Sequence, residues 1–220
     1  LGITKLIDIF LNLDDYLSVL VSNHNIWAYV FLFLIIFIET GVVILPFLPG
    51  DSLLFAAGAI AALPSEPLHI PILLLLLYAA AIGGDTLNYE IGRKCREKIN
   101  KREKIRFIKT EYIERTQAFF AKHGGKTITI ARFIPIIRTF APFVAGVGQM
   151  PYRWFIGYNL IGGFSWVTAL FGFGYFFGNI PFIQNHFSLV MIAIILISVS
   201  PAVISFIHAK CKRVKSVEAK

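Results

Sequence analysis

Two carboxylates and two arginines stand where an apolar chain should carry neither. Glu39 follows thirteen consecutive apolar residues, 26–38, and opens the stretch ETGVVILPFLPGD, which closes on Asp51. A second stretch, TITIARFIPIIRTFAPFVAGVGQMP from residue 127, holds Arg132 and Arg138 beside Pro135, Pro142, Gly146 and Gly148. A charge at membrane depth costs about 2.5–3.5 kcal/mol on insertion scales, and irregular backbone is tolerated there only inside protein or along a water-filled cavity. Both stretches therefore read as functional breaks. Two arginines beside one break can present planar donor forks to a phosphate, the obvious anion at a membrane surface. They lie six residues apart, about 240° around an ideal helix, so they converge only if Pro135 breaks the segment. Glu39 and Asp51 likewise need the break that Pro46, Pro49 and Gly50 supply. Of the two acids, Glu39 is deeper and has fewer polar neighbours, so it is the better candidate for a proton-binding group, with Asp51 as an arginine partner. Two plainer readings stand beside these. Glu39 could end a helix at the interface, and the carboxylates could simply neutralise the arginines in a buried network.

Composition places these residues in a membrane. The 220 residues are 56% hydrophobic and 15% charged, too apolar for an ordinary soluble domain. Cys95 and Cys211 sit among lysines and arginines and are expected to be free thiols. The opening residues carry Asp8, Asp14 and Asp15, and no small-residue cleavage site follows the first apolar run, so no signal peptide is expected.

The elements that must position the charges follow in order. Residues 1–22 have one apolar helical face and predict an interfacial amphipathic helix. Residues 25–63 predict a span, with Trp27 and Tyr29 at its headgroup end, followed by a re-entrant element too short to cross. A Leu-rich span covers 70–92, where Asp85, Asn88 and Glu90 mark a polar end. Residues 93–126 hold twelve Lys and Arg against four Glu, a balance of +8, which sets this segment in the cytoplasm. That topology signal is sufficient to account for the charge, and no nucleic-acid partner is expected. The second re-entrant element covers 127–150. Beyond Arg153 no Asp, Glu, Lys or Arg appears until Lys210, room for spans at 154–178 and 188–208 before the basic tail 209–220. The fold class is an all-α polytopic membrane protein, one domain of four transmembrane helices plus two opposed re-entrant hairpins, with both termini cytoplasmic. Glu39 precedes Pro49, and Arg132 precedes Pro142, by ten residues each, which suggests an inverted pseudo-repeat. Such paired breaks point to a transporter's midplane site.

Together, ETGVVILPFLPGDSLLFAAG, GGDTLNYEIGR, KHGGKTITIARFIPIIRTFAPFVAGVGQMPYRWF and GYFFGNIP resemble the DedA family of bacterial inner-membrane proteins over nearly the whole chain. The resemblance implies two re-entrant helices facing each other, a fold shared with the eukaryotic VTT-domain lipid scramblases. It also implies a role in membrane lipid homeostasis, with some relatives assigned to undecaprenyl phosphate recycling and proton-dependent behaviour. The family's essential acidic and arginine positions fall on Glu39, Asp51, Arg132 and Arg138. One departure is the run GRKCREK, where relatives often place glycine at Arg96 or Glu97.

Three function classes follow: a carrier or flippase for an anionic, phosphate-bearing lipid; a lipid-phosphate enzyme; and a non-catalytic assembly factor. The second lacks an evident nucleophile beside a general base, since Ser52 has only Asp51 next to it. No cofactor is expected, and the five histidines and two cysteines show no metal-ligand spacing. His123, before a glycine turn, reads as structural, and Trp166, Tyr175 and the phenylalanines of 171–177 read as packing and belt residues. The expected partners are the bilayer, an anionic headgroup and protons, with homo-oligomerisation left open.

Overall fold

A computed structural model of the chain describes residues 25–42, 50–63, 68–101, 124–178, 180–181 and 193. Every regular element among them is helical. The expected amphipathic helix at 1–22, most of the basic segment including His123, the span at 188–208, the tail, Pro46 and Pro49 lie outside the described residues. In chain order the helices are α1 (Asn25–Gly41), α2 (Gly50–Ala61), α3 (Ile70–Lys101), α4 (Lys126–Ala131), α5 (Pro135–Val147) and α6 (Tyr152–Phe177).

Length separates two kinds of helix. The apolar part of α3, Ile70–Arg96, and the whole of α6 have 27 and 26 residues, enough to cross a membrane at about 1.5 Å per residue. With 12 and 13 residues, α2 and α5 reach only about 20 Å and are too short to cross. The span expected at 70–92 does not end at its polar residues: α3 continues to Lys101. Past Gly92 the sequence GRKCREKINK is rich in strong helix formers and contains no proline, so nothing stops the helix where hydrophobicity ends.

The expected break at Pro135 is present, and its cause is local. Proline disfavours helical backbone in the residue before it, and Ile134 is extended at φ −116°, ψ 105°, separating α4 from α5. Pro142 and Gly146 are corrections, because neither breaks the chain. α5 runs through Pro142, which only deprives the Arg138 carbonyl of its intrahelical donor, and Gly146 lies in the last helical turn. α5 ends instead at Gly148 and at Gln149, whose φ is +58°, with the Met150 N–H donating to the Ala145 carbonyl at 3.0 Å.

The two kinds of helix interlock. Short α5 lies along α3, short α2 lies along α6, and α1 packs on α3. Each crossing is a glycine contact made twice. A Cβ on Gly58 would strike the Phe171 carbonyl oxygen, and one on Gly174 would strike that of Phe55. The mirrored pair is Gly146 against the Tyr89 carbonyl and Gly92 against that of Phe143. The motif Phe-x-x-Gly therefore recurs at 55–58 and 143–146, an offset of 88 residues rather than the 93 that separate Glu39 from Arg132. Proline spacing misplaced the repeat because Pro142 is not a break.

The exterior is apolar and the interior carries charge. Ile26, Val30, Leu34 and Ile38 form an exposed stripe on α1, and Trp154, Ile161, Phe173 and Phe176 are exposed on α6. Glu39, Asp85, Asn88, Arg132, Arg138 and Asn159 are all buried. In water this arrangement would expose what the hydrophobic effect hides; in lipid it is the arrangement that satisfies both.

Candidate functional site

The four charged residues singled out in the sequence meet in the interior, but not as one phosphate fork. Arg138, on the first turns of α5, spreads its guanidinium between two acids. Its Nη1 donates to Asp51 Oδ1 at 2.6 Å and its Nη2 donates to Glu39 Oε1. Glu39 comes from the end of α1, 1% exposed, and Asp51 from the first turn of α2, where the helix dipole favours a negative charge. The two acids are neighbours because Gly50 starts α2 directly against the Glu39 carboxylate. A Cβ at that position would occupy the space of Glu39 Oε2.

Arg132, at the break between α4 and α5, belongs to a second system. Its Nη2 alone makes three contacts, with the Ala81 carbonyl at 3.1 Å, with Asn159 Oδ1 at 2.9 Å and with Asp85 Oδ2. Gly162 and Gly163 leave the room that its side chain fills; a Cβ on Gly163 would lie 3.1 Å from Nη1. Asn159 donates in turn to the Ile82 carbonyl at 3.1 Å, which holds α6 to α3 beside the ion pair.

Trp166 joins the two systems, and Asn88 braces the first of them. Trp166 of α6 lies beneath both guanidiniums, with the Arg138 Cζ 4.5 Å and the Arg132 Cζ 5.7 Å from its ring, and its indole N–H donates to Asp51 Oδ1 at 3.0 Å. Asn88 of α3 donates to the Thr40 carbonyl at 3.2 Å and to the Thr139 carbonyl at 2.7 Å. It thereby fixes the backbone beside Glu39 and beside Arg138 at once.

The charge count of this cluster is uneven. Among the described residues, Glu39, Asp51 and Asp85 face Arg132 and Arg138, three carboxylates against two guanidiniums, so one bound proton makes these five groups neutral. Among the described residues, Glu39 Oε2, Asp85 Oδ1, Arg132 Nε and Nη1, and Arg138 Nε are buried with no hydrogen-bond partner. Buried polar atoms without partners are costly, so these are the atoms available to a proton, a water or an incoming anion. Both η-nitrogens of Arg138 already hold carboxylates. An anion can use that fork only by displacing one of them.

Asp85, Asn88, Asn159 and Trp166 were not legible as site residues. In the sequence Asp85 and Asn88 mark the polar end of a span, yet with Ala81 and Gly92 they follow helical spacing and form one inward face of a longer helix. The same spacing runs through Asn159, Gly162, Gly163 and Trp166, all buried on α6. A polar stripe at 3–4-residue spacing inside an apolar helix was the available signal. Pro46 and Pro49 fall outside the described residues, and among those described no group of His, Cys, Asp and Glu is arranged to hold a metal.

Comparison with known proteins decides the family. The VTT domain model matches residues 48–176. The chain belongs to the DedA family. It is 49% identical over 205 residues to Protein DedA of Escherichia coli K12, covering 93% of this chain and 94% of the relative. An uncharacterized membrane protein of Mycobacterium tuberculosis is 42% identical over 78% of this chain and 75% of its own length. The inner membrane protein YghB of Escherichia coli K12 is 31% identical over 79% and 78% respectively. No solved structure matches significantly. With relatives named as membrane proteins, and lipid-facing apolar helices around buried charge, this DedA-family chain is a membrane protein.

Proposed function

We propose that this DedA-family protein is a transporter or flippase for an anionic, phosphate-bearing lipid, undecaprenyl phosphate or a phospholipid, coupled to protons and serving envelope homeostasis. The observation that carries the reading is the cluster of three carboxylates and two arginines among the described residues, drawn from both breaks and from α3 and one proton short of neutral. A purely structural ion pair needs no such excess. A carrier must bind and release its load on alternate sides, and a one-proton change in site charge biases that choice. In this reading the headgroup phosphate takes a guanidinium from a carboxylate, and Glu39, with its unpartnered Oε2, is the acid that accepts the proton. The short α2 and α5 support an arrangement of two opposed re-entrant elements among four spans, in a bacterial inner membrane with both termini cytoplasmic. The role is carriage rather than catalysis.

Purified protein in liposomes carrying labelled phosphatidylglycerol or a polyprenyl monophosphate tests this. The reading expects intact lipid to cross and an imposed pH gradient to change the rate. Release of phosphate would support a lipid-phosphate enzyme instead, and neither result would favour an assembly factor. E39Q should retain lipid movement and lose its response to the gradient. An unchanged response would return Glu39 to the role of buried counter-ion.

A further inference from the structure

We propose that Trp166 is a positioning residue that selects which carboxylate exchanges Arg138 for a proton. The proposal rests on the proton-coupled reading above and names a determinant of that coupling.

The two acids on Arg138 are held unequally. Asp51 Oδ1 accepts from Arg138 Nη1 at 2.6 Å and from the Trp166 indole at 3.0 Å, and Asp51 also sits in the first turn of α2. Glu39 shares Arg138 through one oxygen, and its other oxygen lies against the Gly50 backbone with no side-chain donor among the described residues. A donor held against a carboxylate favours the ionised form. The indole N–H therefore helps hold Asp51 on its arginine, which leaves Glu39 as the acid free to exchange. Among the described residues, three further charged groups stand near this pair. Arg138 comes from α5, Arg132 from the break before it and Asp85 from α3, while α6 contributes Trp166 and Asn159, both uncharged. What α6 brings to the choice is thus direction rather than charge. The ring itself supports both guanidiniums, a task phenylalanine can share, whereas the N–H has no counterpart in phenylalanine.

That separation gives the test. W166F keeps a ring beneath the arginines and deletes the donor to Asp51. In liposomes with labelled phosphatidylglycerol, E39Q is expected to ignore an imposed pH gradient. E39Q/W166F is expected to regain a response, because Asp51, released from the indole, can now exchange its arginine as Glu39 did. A merely structural tryptophan would give a second loss and never a recovery. If E39Q/W166F elutes as a folded, monodisperse protein and stays as insensitive as E39Q, the proposal is overturned. If E39Q alone still responds, the coupling role of Glu39 falls and this proposal falls with it. Should the double variant fail to fold, W166F alone decides. Its transport should keep the roughly tenfold-per-unit steepness of a one-proton step with the midpoint moved to higher pH, because two acids rather than one can now hold that proton, and an unmoved midpoint overturns the assignment.

Discussion

The two halves of the described fold are built from the same parts and turn opposite charges inward. In each, a short helix with Phe-x-x-Gly crosses a long helix of the other half through an aromatic-x-x-Gly: Phe55 and Gly58 on Phe171 and Gly174, Phe143 and Gly146 on Tyr89 and Gly92. Yet Glu39, Asp51 and Asp85 all belong to the half that ends with α3, and Arg132 and Arg138 both to the half that begins with α4. The 88-residue register makes the divergence local, since it sets Arg138 opposite Gly50. One half offers a guanidinium where the other offers space, and the Glu39 carboxylate occupies that space. The scaffold is repeated, whereas the chemistry is divided between the repeats. Close packing explains the first, and mutual neutralisation of charges in a low-dielectric interior explains the second.

The largest effect should come from breaking the division of charge. R138Q leaves Glu39 and Asp51 facing each other without their cation, and removal of one partner from a buried pair costs about 3–5 kcal/mol. The expected outcome is a sharp fall in thermal midpoint and in monodisperse yield from detergent. R132Q strands only Asp85, and adding D85N should recover much of its stability, because both charges then leave together. If the double variant is no more stable than R132Q, the pair is not acting as a unit.

The repeated scaffold should break symmetrically and more mildly. G58A and G146A each drive a Cβ against a carbonyl oxygen of the opposite half, and overpacking of this kind costs about 1–3 kcal/mol. Similar falls in thermal midpoint would support equivalence of the two crossings, whereas a large inequality would break it. Gly172 is the control, because a Cβ there meets nothing within 4 Å, so G172A should change stability little.

The finest distinction lies between the arginines. Arg138 uses two nitrogens on two acids, a geometry that needs the planar fork. Among the described residues Arg132 makes its hydrogen bonds through Nη2 alone, and an ammonium with three donors can replace those. R132K should therefore retain much of the transport activity, and R138K should lose most of it. Equal loss in both variants would mean that transport uses the unpartnered Nε and Nη1 of Arg132 as a fork.

How much of this was legible depended on the range of the interaction. Charges in an apolar run and proline at a break are local signals, so Glu39, Asp51, Arg132, Arg138 and the extended Ile134 before Pro135 could be placed from the sequence. Which acid meets which arginine could not, because those contacts span 47 to 99 residues and depend on how the helices cross. Asp85 and Trp166 were missed for the same reason. Each looks ordinary within its own segment and acquires meaning only from the helix opposite. Pro142 misled because a proline signals a missing donor, and a helix held along its length by α3 tolerates one.

The crossed glycine contacts bear on how the protein is made. A chain emerging from the ribosome delivers α1, α2 and α3 first, but the groove that receives α2 belongs to α6, well over a hundred residues downstream of Asp51 at its closest partner, Trp166. Until α5 brings Arg138, a short segment with an acid at its head lacks its cation, and until α6 follows it lacks its main packing surface. The nascent protein must therefore wait at the membrane with its first half unfinished, and only the arrival of the second half completes both.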